Sequence, residues 1–313
     1  MRIGVTPHTI ARHHLLRSEL LGLFPESVFN EDNPKPSPQE VLELVRNCDG
    51  VIVGLENVTD ALLEKCPRLR IVSKYGVGLD NIDLEACKKR GIIVGWTPGV
   101  NRRAVAELTL AFMLALLRNI VPGCNSLKKG DWQKYGGAEL TGKTVGVIGV
   151  GYIGKDLIRL LKPFECRILC NDLLDQQEFY AMNGVISASK DEIYAEADIV
   201  SLHTPLTDLT RNIINREVLA RMRKTAYIIN TARGAIINKA DLKLALSEGR
   251  IAGAALDVYP EEPETDLEFL GLPSLLCTPH RAGSSKEAVL AMGRCAISHL
   301  RNYFLSAKSR PEV

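Results

Sequence analysis

Residues 144–154 read Thr-Val-Gly-Val-Ile-Gly-Val-Gly-Tyr-Ile-Gly, a β-branched run that feeds directly into Gly149-x-Gly151-x-x-Gly154. Few short sequences restrict a fold more. Gly149 permits a tight turn out of a strand, Gly151 lets the backbone approach a pyrophosphate, and Gly154 lets the following helix pack closely on the strand. The first helical amides, at Tyr152 and Ile153, then face the phosphates. Asp172 follows Gly154 by eighteen residues, at the end of the apolar run Ile168-Leu169-Cys170. A carboxylate there accepts both hydroxyls of an adenosine ribose and repels a 2′-phosphate, which favours NAD over NADP.

The chain has 313 residues, more than one core usually serves, so two domains are expected. Because the glycine fingerprint starts only at Gly149, the preceding hundred or so residues are free to form a domain of their own. Lys and Arg total 39 against 37 Asp and Glu, and a net charge of +2 argues against a nucleic acid or an anionic membrane as partner. A small molecule is the expected partner. Eight cysteines are scattered singly. The only close pair, Cys166 and Cys170, suits neither a zinc knuckle nor a redox motif, which points to reduced, structural thiols. The N-terminal run Ile3-Gly4-Val5 reads as a first strand and is too short for a signal sequence. The longest apolar run, Ala104 to Leu117, is broken by Glu107 and Thr109 and falls short of a membrane span. A soluble, cytoplasmic protein is expected.

Short β-rich runs (Ile3-Val5, Val51-Val53, Ile71-Ser73, Ile92-Val94) alternate with helical stretches at 38–48, 60–65 and 84–90, a pattern that predicts a parallel sheet covered on both faces. The helix near 104–117 is apolar almost all round and therefore expects burial between layers or subunits. A second alternating series opens at Thr144 and runs through 198–202, 226–229, 252–256 and 275–278. The residues after His280 predict one amphipathic helix, with Ser284 and Glu287 at capping-box spacing and an apolar stripe at Val289, Met292, Ala296, Leu300 and Tyr303. One helix cannot form a domain. It is expected to return to the N-terminal domain, so that residues 1–100 plus 284–313 make one domain and 101–283 the other. Two crossings would leave a cleft suited to hinge closure.

In an open α/β sheet, ligands bind beyond the carboxyl ends of the strands. Four apolar runs end in polar residues there: Leu202-His203-Thr204-Pro205, Asn230-Thr231-Ala232-Arg233-Gly234, Leu256-Asp257 through Glu261-Glu262-Pro263, and Thr278-Pro279-His280. Arg233 offers a permanent, forked cation that can hold a carboxylate bidentately. His280 can exchange a proton near neutral pH, and a carboxylate from Glu262, or from Glu261, would orient it and favour its charged form. His203 competes for the catalytic role, although its position at the end of a buried run fits a hydrogen-bonding residue near the cofactor. No spacing of histidines and acids resembles a metal site, so no metal is expected.

The sequence resembles the D-isomer-specific 2-hydroxyacid dehydrogenase family over nearly its whole length. The resemblance rests on Lys74-Tyr75-Gly76-Val77-Gly78-Leu79-Asp80-Asn81-Ile82-Asp83, the glycine fingerprint, Asn230-Thr231-Ala232-Arg233-Gly234, Gly253 to Val258, Glu261-Glu262-Pro263 and Thr278-Pro279-His280. It implies an α/β fold of two doubly wound parallel-sheet domains, a Rossmann nucleotide-binding domain inserted into a flavodoxin-like substrate domain. It implies that Arg233 grips the substrate's carboxylate and keto oxygen, that Glu262 partners the histidine, and that His280 is the acid/base. The Gly76-Val77-Gly78 backbone, with Lys74 and Tyr75 beside it, would meet the substrate. Asp257 would meet the nicotinamide carboxamide, while His203, Thr204, Pro205, Thr231 and Ala232 complete the cofactor's surroundings. Homodimers built on the nucleotide-binding domain are also implied.

The expected activity is thus an NAD-dependent, reversible reduction of a 2-keto acid. Formate-type dehydrogenases resemble this fold but lack the Glu and His pairing. Corepressors resembling the family use NAD binding to set assembly, and they usually carry extra tails. Nothing after Val313 resembles a regulatory domain, so control by serine is not expected. Phosphoglycerate enzymes place an arginine after the strand that here reads Val51-Ile52-Val53, whereas this chain has Gly54-Leu55-Glu56. Only Lys74 and, from a neighbouring subunit, Lys134 could compensate. An unphosphorylated acid is therefore expected to be preferred over 3-phosphohydroxypyruvate.

Overall fold

The computed structural model describes residues 1–134 and 136–306. They form two compact units, Met1–Asn101 with the chain from Ser285 onward, and Arg102–Ser284. The first is built on five parallel strands, β1 (Ile3–Val5), β2 (Val28–Phe29), β3 (Gly50–Val53), β4 (Ile71–Lys74) and β5 (Ile93–Gly95), in the order β2-β1-β3-β4-β5. This is the flavodoxin-like order, with its reversal between β1 and β3. Its three central strands, β1, β3 and β4, are buried throughout, hence their Val and Ile content.

On one face the helix Lys286–Ser306 packs on the helix His14–Leu23 and on β4. Ala296, Ile297, Leu300 and Phe304 there join Ile3, Val5, Leu16, Leu20 and Phe24 in one core. The helices Pro38–Val45, Asp60–Glu64 and Leu84–Lys89 cover the other face through Val45, Leu63, Ala86 and Cys87. Two details of the C-terminal helix differ from the sequence reading. Ser285, not Ser284, caps it, accepting the Ala288 amide at 3.1 Å. Its buried stripe is Ala288, Met292, Gly293, Ala296, Ile297, Leu300 and Phe304, so Val289 and Tyr303 are only half-buried at its margin.

The second unit carries seven parallel strands: β6 (Thr144–Ile148), β7 (Arg167–Asn171), β8 (Ile186–Ser187), β9 (Ile199–Leu202), β10 (Tyr227–Asn230), β11 (Gly253–Leu256) and β12 (Leu275–Cys277). Their order, β12-β11-β10-β9-β6-β7-β8, reverses between β6 and β9, which makes the carboxyl ends of that pair the switch point where a dinucleotide binds. Register fixes what gathers there. Ile148 pairs with Leu202, Leu202 with Asn230, Asn230 with Leu256 and Leu256 with Cys277, so Gly149, His203, Thr231, Asp257 and Thr278 leave the sheet along one edge.

The helix Arg102–Leu117 packs on the helix Tyr152–Leu161 and buries Ala106, Phe112, Met113 and Leu117, but Leu108, Leu110, Leu114 and Leu116 stay only partly buried. The helix Ile120–Lys128 follows at a sharp bend and has no buried residue. Among the described residues no single helix is long and apolar enough to cross a membrane, although these two pass that test as a bent pair.

Candidate active site

The glycine turn after β6 is shaped by close approaches. A Cβ on Gly149, whose φ is +94°, would meet the carbonyl carbon of His203 at 2.6 Å and the Thr204 nitrogen at 2.9 Å. A Cβ on Gly154 would meet the Gly149 carbonyl oxygen, so neither position tolerates a side chain. Gly151 is different: nothing in the protein lies within 4 Å of its added Cβ, and it caps the helix Tyr152–Leu161. The amides that open this helix have no intrahelical partner and carry its positive dipole end. Asp172 accepts the Val150 amide at 2.5 Å and the Leu174 amide at 2.8 Å, which holds its carboxylate against the turn.

Across the switch point, the Nε2 of His203 lies 2.8 Å from the Ser201 hydroxyl, while its Nδ1 and the Thr204 hydroxyl are buried without a partner, and Pro205 follows, exposed. Orphaned polar atoms of this kind are what a polar ligand satisfies. With open space at Gly151 and the helix dipole opposite, the donor set fits a dinucleotide. Burial pushes the His203 pKa down to about 4, so the ring is neutral at physiological pH and cannot serve there as a proton donor.

Two loops farther along the edge bring the other chemistry together. Asn230, fully buried at the end of β10, accepts the Ala232 amide at 3.0 Å and donates to the Arg233 carbonyl at 2.8 Å, a cage that fixes the loop carrying Arg233. Thr109 donates to Val105, so in the 3.0 Å contact between Thr109 and Thr231 the Thr231 hydroxyl must be the donor. A Cβ on Gly234 would overlap the Tyr259 carbonyl carbon at 1.9 Å, so only glycine lets this loop lie against the one that bears Glu262. Glu262 accepts the Tyr259 amide at 3.0 Å through Oε1 and holds the Nδ1 of His280 at 2.7 Å through Oε2. Burial alone would raise the Glu262 carboxyl, but the bonds from His280 and Tyr259, with the charges of His280 and Arg233, bring it below its ordinary value.

His280 takes a left-handed backbone conformation, φ 45°, uncommon for a residue other than glycine. Asp257 maintains it. Its carbonyl accepts the His280 amide at 2.7 Å, and its carboxylate, fully buried, accepts the Thr278 hydroxyl and the amides of Arg281 and Ala282. Asp257 is thus turned onto the 278–282 segment, with acceptor capacity left on Oδ2.

In the other unit, the carboxyl end of β4 leads into Tyr75 and the Gly76-Val77-Gly78 turn, with Gly76 at φ +122°. Lys74 is only 4% exposed. Glu56 is turned back on its own loop, accepting the Gly54 amide and the Thr6 hydroxyl, each at 2.7 Å. Asn81, Asn230 and Thr109, quoted in the sequence without a role of their own, and Ser201, not singled out there, take their roles from contacts made in the fold. Sequence reasoning left His299 aside: the half-buried ring sits between Ser73 and Thr97, and His13 caps a helix. Among the described residues no group of three or more His, Cys, Asp or Glu side chains converges as a metal site.

Residues 110–282 match the family model of the D-isomer specific 2-hydroxyacid dehydrogenase, NAD binding domain. The chain belongs to this family. Membership makes it an NAD-dependent oxidoreductase of the 2-hydroxy acid class. It is 41% identical over 267 residues to the D-3-phosphoglycerate dehydrogenase of Methanocaldococcus jannaschii, an alignment covering 84% of this chain but 51% of that protein, so it spans about half of that relative. It is 37% identical over 278 residues to the glyoxylate reductase of Korarchaeum cryptofilum, covering 86% of this chain and 84% of the relative. Among solved structures it resembles the D-lactate dehydrogenase of Aquifex aeolicus complexed with NAD and lactic acid, with a TM-score of 0.85 at 27% identity over 97% of this chain and 95% of that one.

Proposed function

We propose that the chain is a cytoplasmic, homodimeric enzyme that reversibly reduces an unphosphorylated 2-keto acid to the D-2-hydroxy acid. The observation that carries this reading is the 2.7 Å pairing of Glu262 with His280, with Arg233 close enough for its charge to act on the same carboxylate. Glu262 occupies Nδ1, so His280 exchanges its proton with the substrate oxygen through Nε2. Arg233 binds the substrate's carboxylate and keto oxygen through its planar fork, and the Gly76 to Gly78 amides are proposed as substrate-binding groups. The residues proposed to hold the cofactor are the Gly149 to Gly154 turn with Tyr152 and Ile153, Asp172, and His203, Thr204, Pro205, Thr231, Ala232 and Asp257. NADH, when bound, supplies the hydride to the carbonyl carbon.

The pairing argues against a formate-type reaction. One alternative has support of its own: 41% identity to a phosphoglycerate dehydrogenase favours a phosphorylated substrate. Against it stand Gly54-Leu55-Glu56 in place of an arginine and the inward position of Lys74. Side-by-side kcat/KM values for 3-phosphohydroxypyruvate, hydroxypyruvate, glyoxylate and pyruvate decide between them. A lead for hydroxypyruvate or glyoxylate is expected, a lead for the phosphorylated acid makes the chain a phosphoglycerate dehydrogenase, and NADH binding without turnover of any acid leaves a corepressor-like module.

A further inference from the structure

The side chain of Lys74 runs inward from the end of β4. Its Nζ donates to the Gly54 carbonyl at 2.5 Å and to Asn81 Oδ1 at 2.6 Å. The amide of Asn81 donates in turn to the carbonyl oxygens of Gly54, at 3.1 Å, and Glu56, at 2.5 Å. These two side chains therefore join the loop after β3, residues 54–56, to the loop after β4, residues 75–81. The Val58 and Asp83 amides extend the junction through backbone bonds, and the Trp96 indole donates to the Val77 carbonyl at 2.8 Å. Within the same turn, a Cβ on Gly76 would meet Lys74 Cε at 3.4 Å.

Burying an amino group this far costs desolvation, and methionine would fill the same space without that cost. What lysine adds is a set of donors aimed at two loops. We infer that Lys74 is a positioning residue: with Asn81 it sets the geometry of the Gly76-Val77-Gly78 amides, and it is not a ligand for an anionic group on the substrate. The inference rests on the proposed function for the purpose of those amides, but its structural half does not.

The test uses the full-length protein and the variants Lys74→Met, Asn81→Ala and the double variant. Hydrogen exchange measured by mass spectrometry should quicken in peptides covering both 54–58 and 75–82 in each single variant, while peptides covering 144–154 remain unchanged. In steady-state assays each single variant should lose about tenfold to a hundredfold in kcat/KM, equally for hydroxypyruvate and for 3-phosphohydroxypyruvate, mostly through KM, with NADH affinity retained. The double variant should lose no more than the worse single one, because the two side chains act through one junction. A loss confined to the phosphorylated acid, additive losses, or unaltered exchange in either loop would overturn the inference. If the wild type turns over no keto acid, the functional reading fails while the exchange data still decide the role of Lys74. If Lys74→Met does not fold, Asn81→Ala alone decides it by the same two measurements.

Discussion

The proton chemistry proposed here depends on one ring. With Nδ1 of His280 held by Glu262 at 2.7 Å, His280→Asn should lower keto-acid turnover by about a hundredfold to ten-thousandfold, the usual range for a general acid, and leave NADH affinity nearly unchanged. Turnover close to wild type would be hard to reconcile with the geometry, since His203, with its pKa pushed down to about 4, is no substitute donor. Glu262→Gln tests the pair in two ways. A neutral amide cannot hold the ring as the carboxylate does at 2.7 Å, so turnover should fall while NADH affinity is retained. Stability should respond as well. A carboxyl held below its ordinary value stabilises the fold above that value, and the contribution is lost as pH falls through the folded one. As pH falls below the ordinary carboxylate value of 4.5, the wild-type melting temperature should therefore drop more steeply than that of Glu262→Gln. Parallel curves would mean that the pairing contributes nothing to folding.

Elements act through their spacing, and two glycines separate packing from binding. Gly234→Ala puts a methyl group into the Tyr259 carbonyl, so the Arg233 loop and the Glu262 loop must part. A loss of stability of about 1–3 kcal/mol, typical of overpacking, should accompany a loss of turnover. Gly151→Ala meets no protein atom within 4 Å, so its melting temperature should match the wild type while the Kd for NADH rises, and unchanged affinity would move the pyrophosphate away from this turn. This contrast also shows what was legible beforehand. Strand ends and the glycine spacing follow from local pattern, so the two alternating series and the loops at their carboxyl ends could be read directly, whereas the doubly wound arrangement was implied only by the family resemblance. The edge strands Val28–Phe29 and Ile186–Ser187 were missed because two residues carry no periodicity. The helix Ile120–Lys128 was missed because Pro122 and Gly123 read as breakers, although proline is tolerated in a first turn. The cap moved from Ser284 to Ser285 because neighbouring serines offer the same chemistry, and backbone geometry selects between them. The Asn230 cage and the Lys74 and Asn81 junction depend on contacts that sequence alone does not bring together.

The described residues leave large apolar side chains exposed near the start of the second unit. The helix Ile120–Lys128 buries nothing, yet Ile120 is 54% and Leu127 55% exposed, and Trp132 beyond it is 78% exposed. Just before it, the leucines on the outer side of the helix Arg102–Leu117 are only partly buried. Several large apolar residues exposed on neighbouring stretches of chain fit an interaction surface, and the family resemblance implies homodimers built on this part of the chain. The proposed occupant is a second copy, which would bury both helices. Sedimentation velocity at micromolar concentration should give twice the chain mass for the wild type, and Ile120→Asp combined with Leu127→Asp should give a single chain that still binds NADH, because neither residue lies at the glycine turn. In a two-fold dimer the double variant brings four carboxylates, two from each copy, into an apolar interface without partners, a cost of several kcal/mol that a standard-sized contact does not withstand. A wild type that sediments as one chain would refute the dimer, and a double variant that stays dimeric would move the interface to a different face.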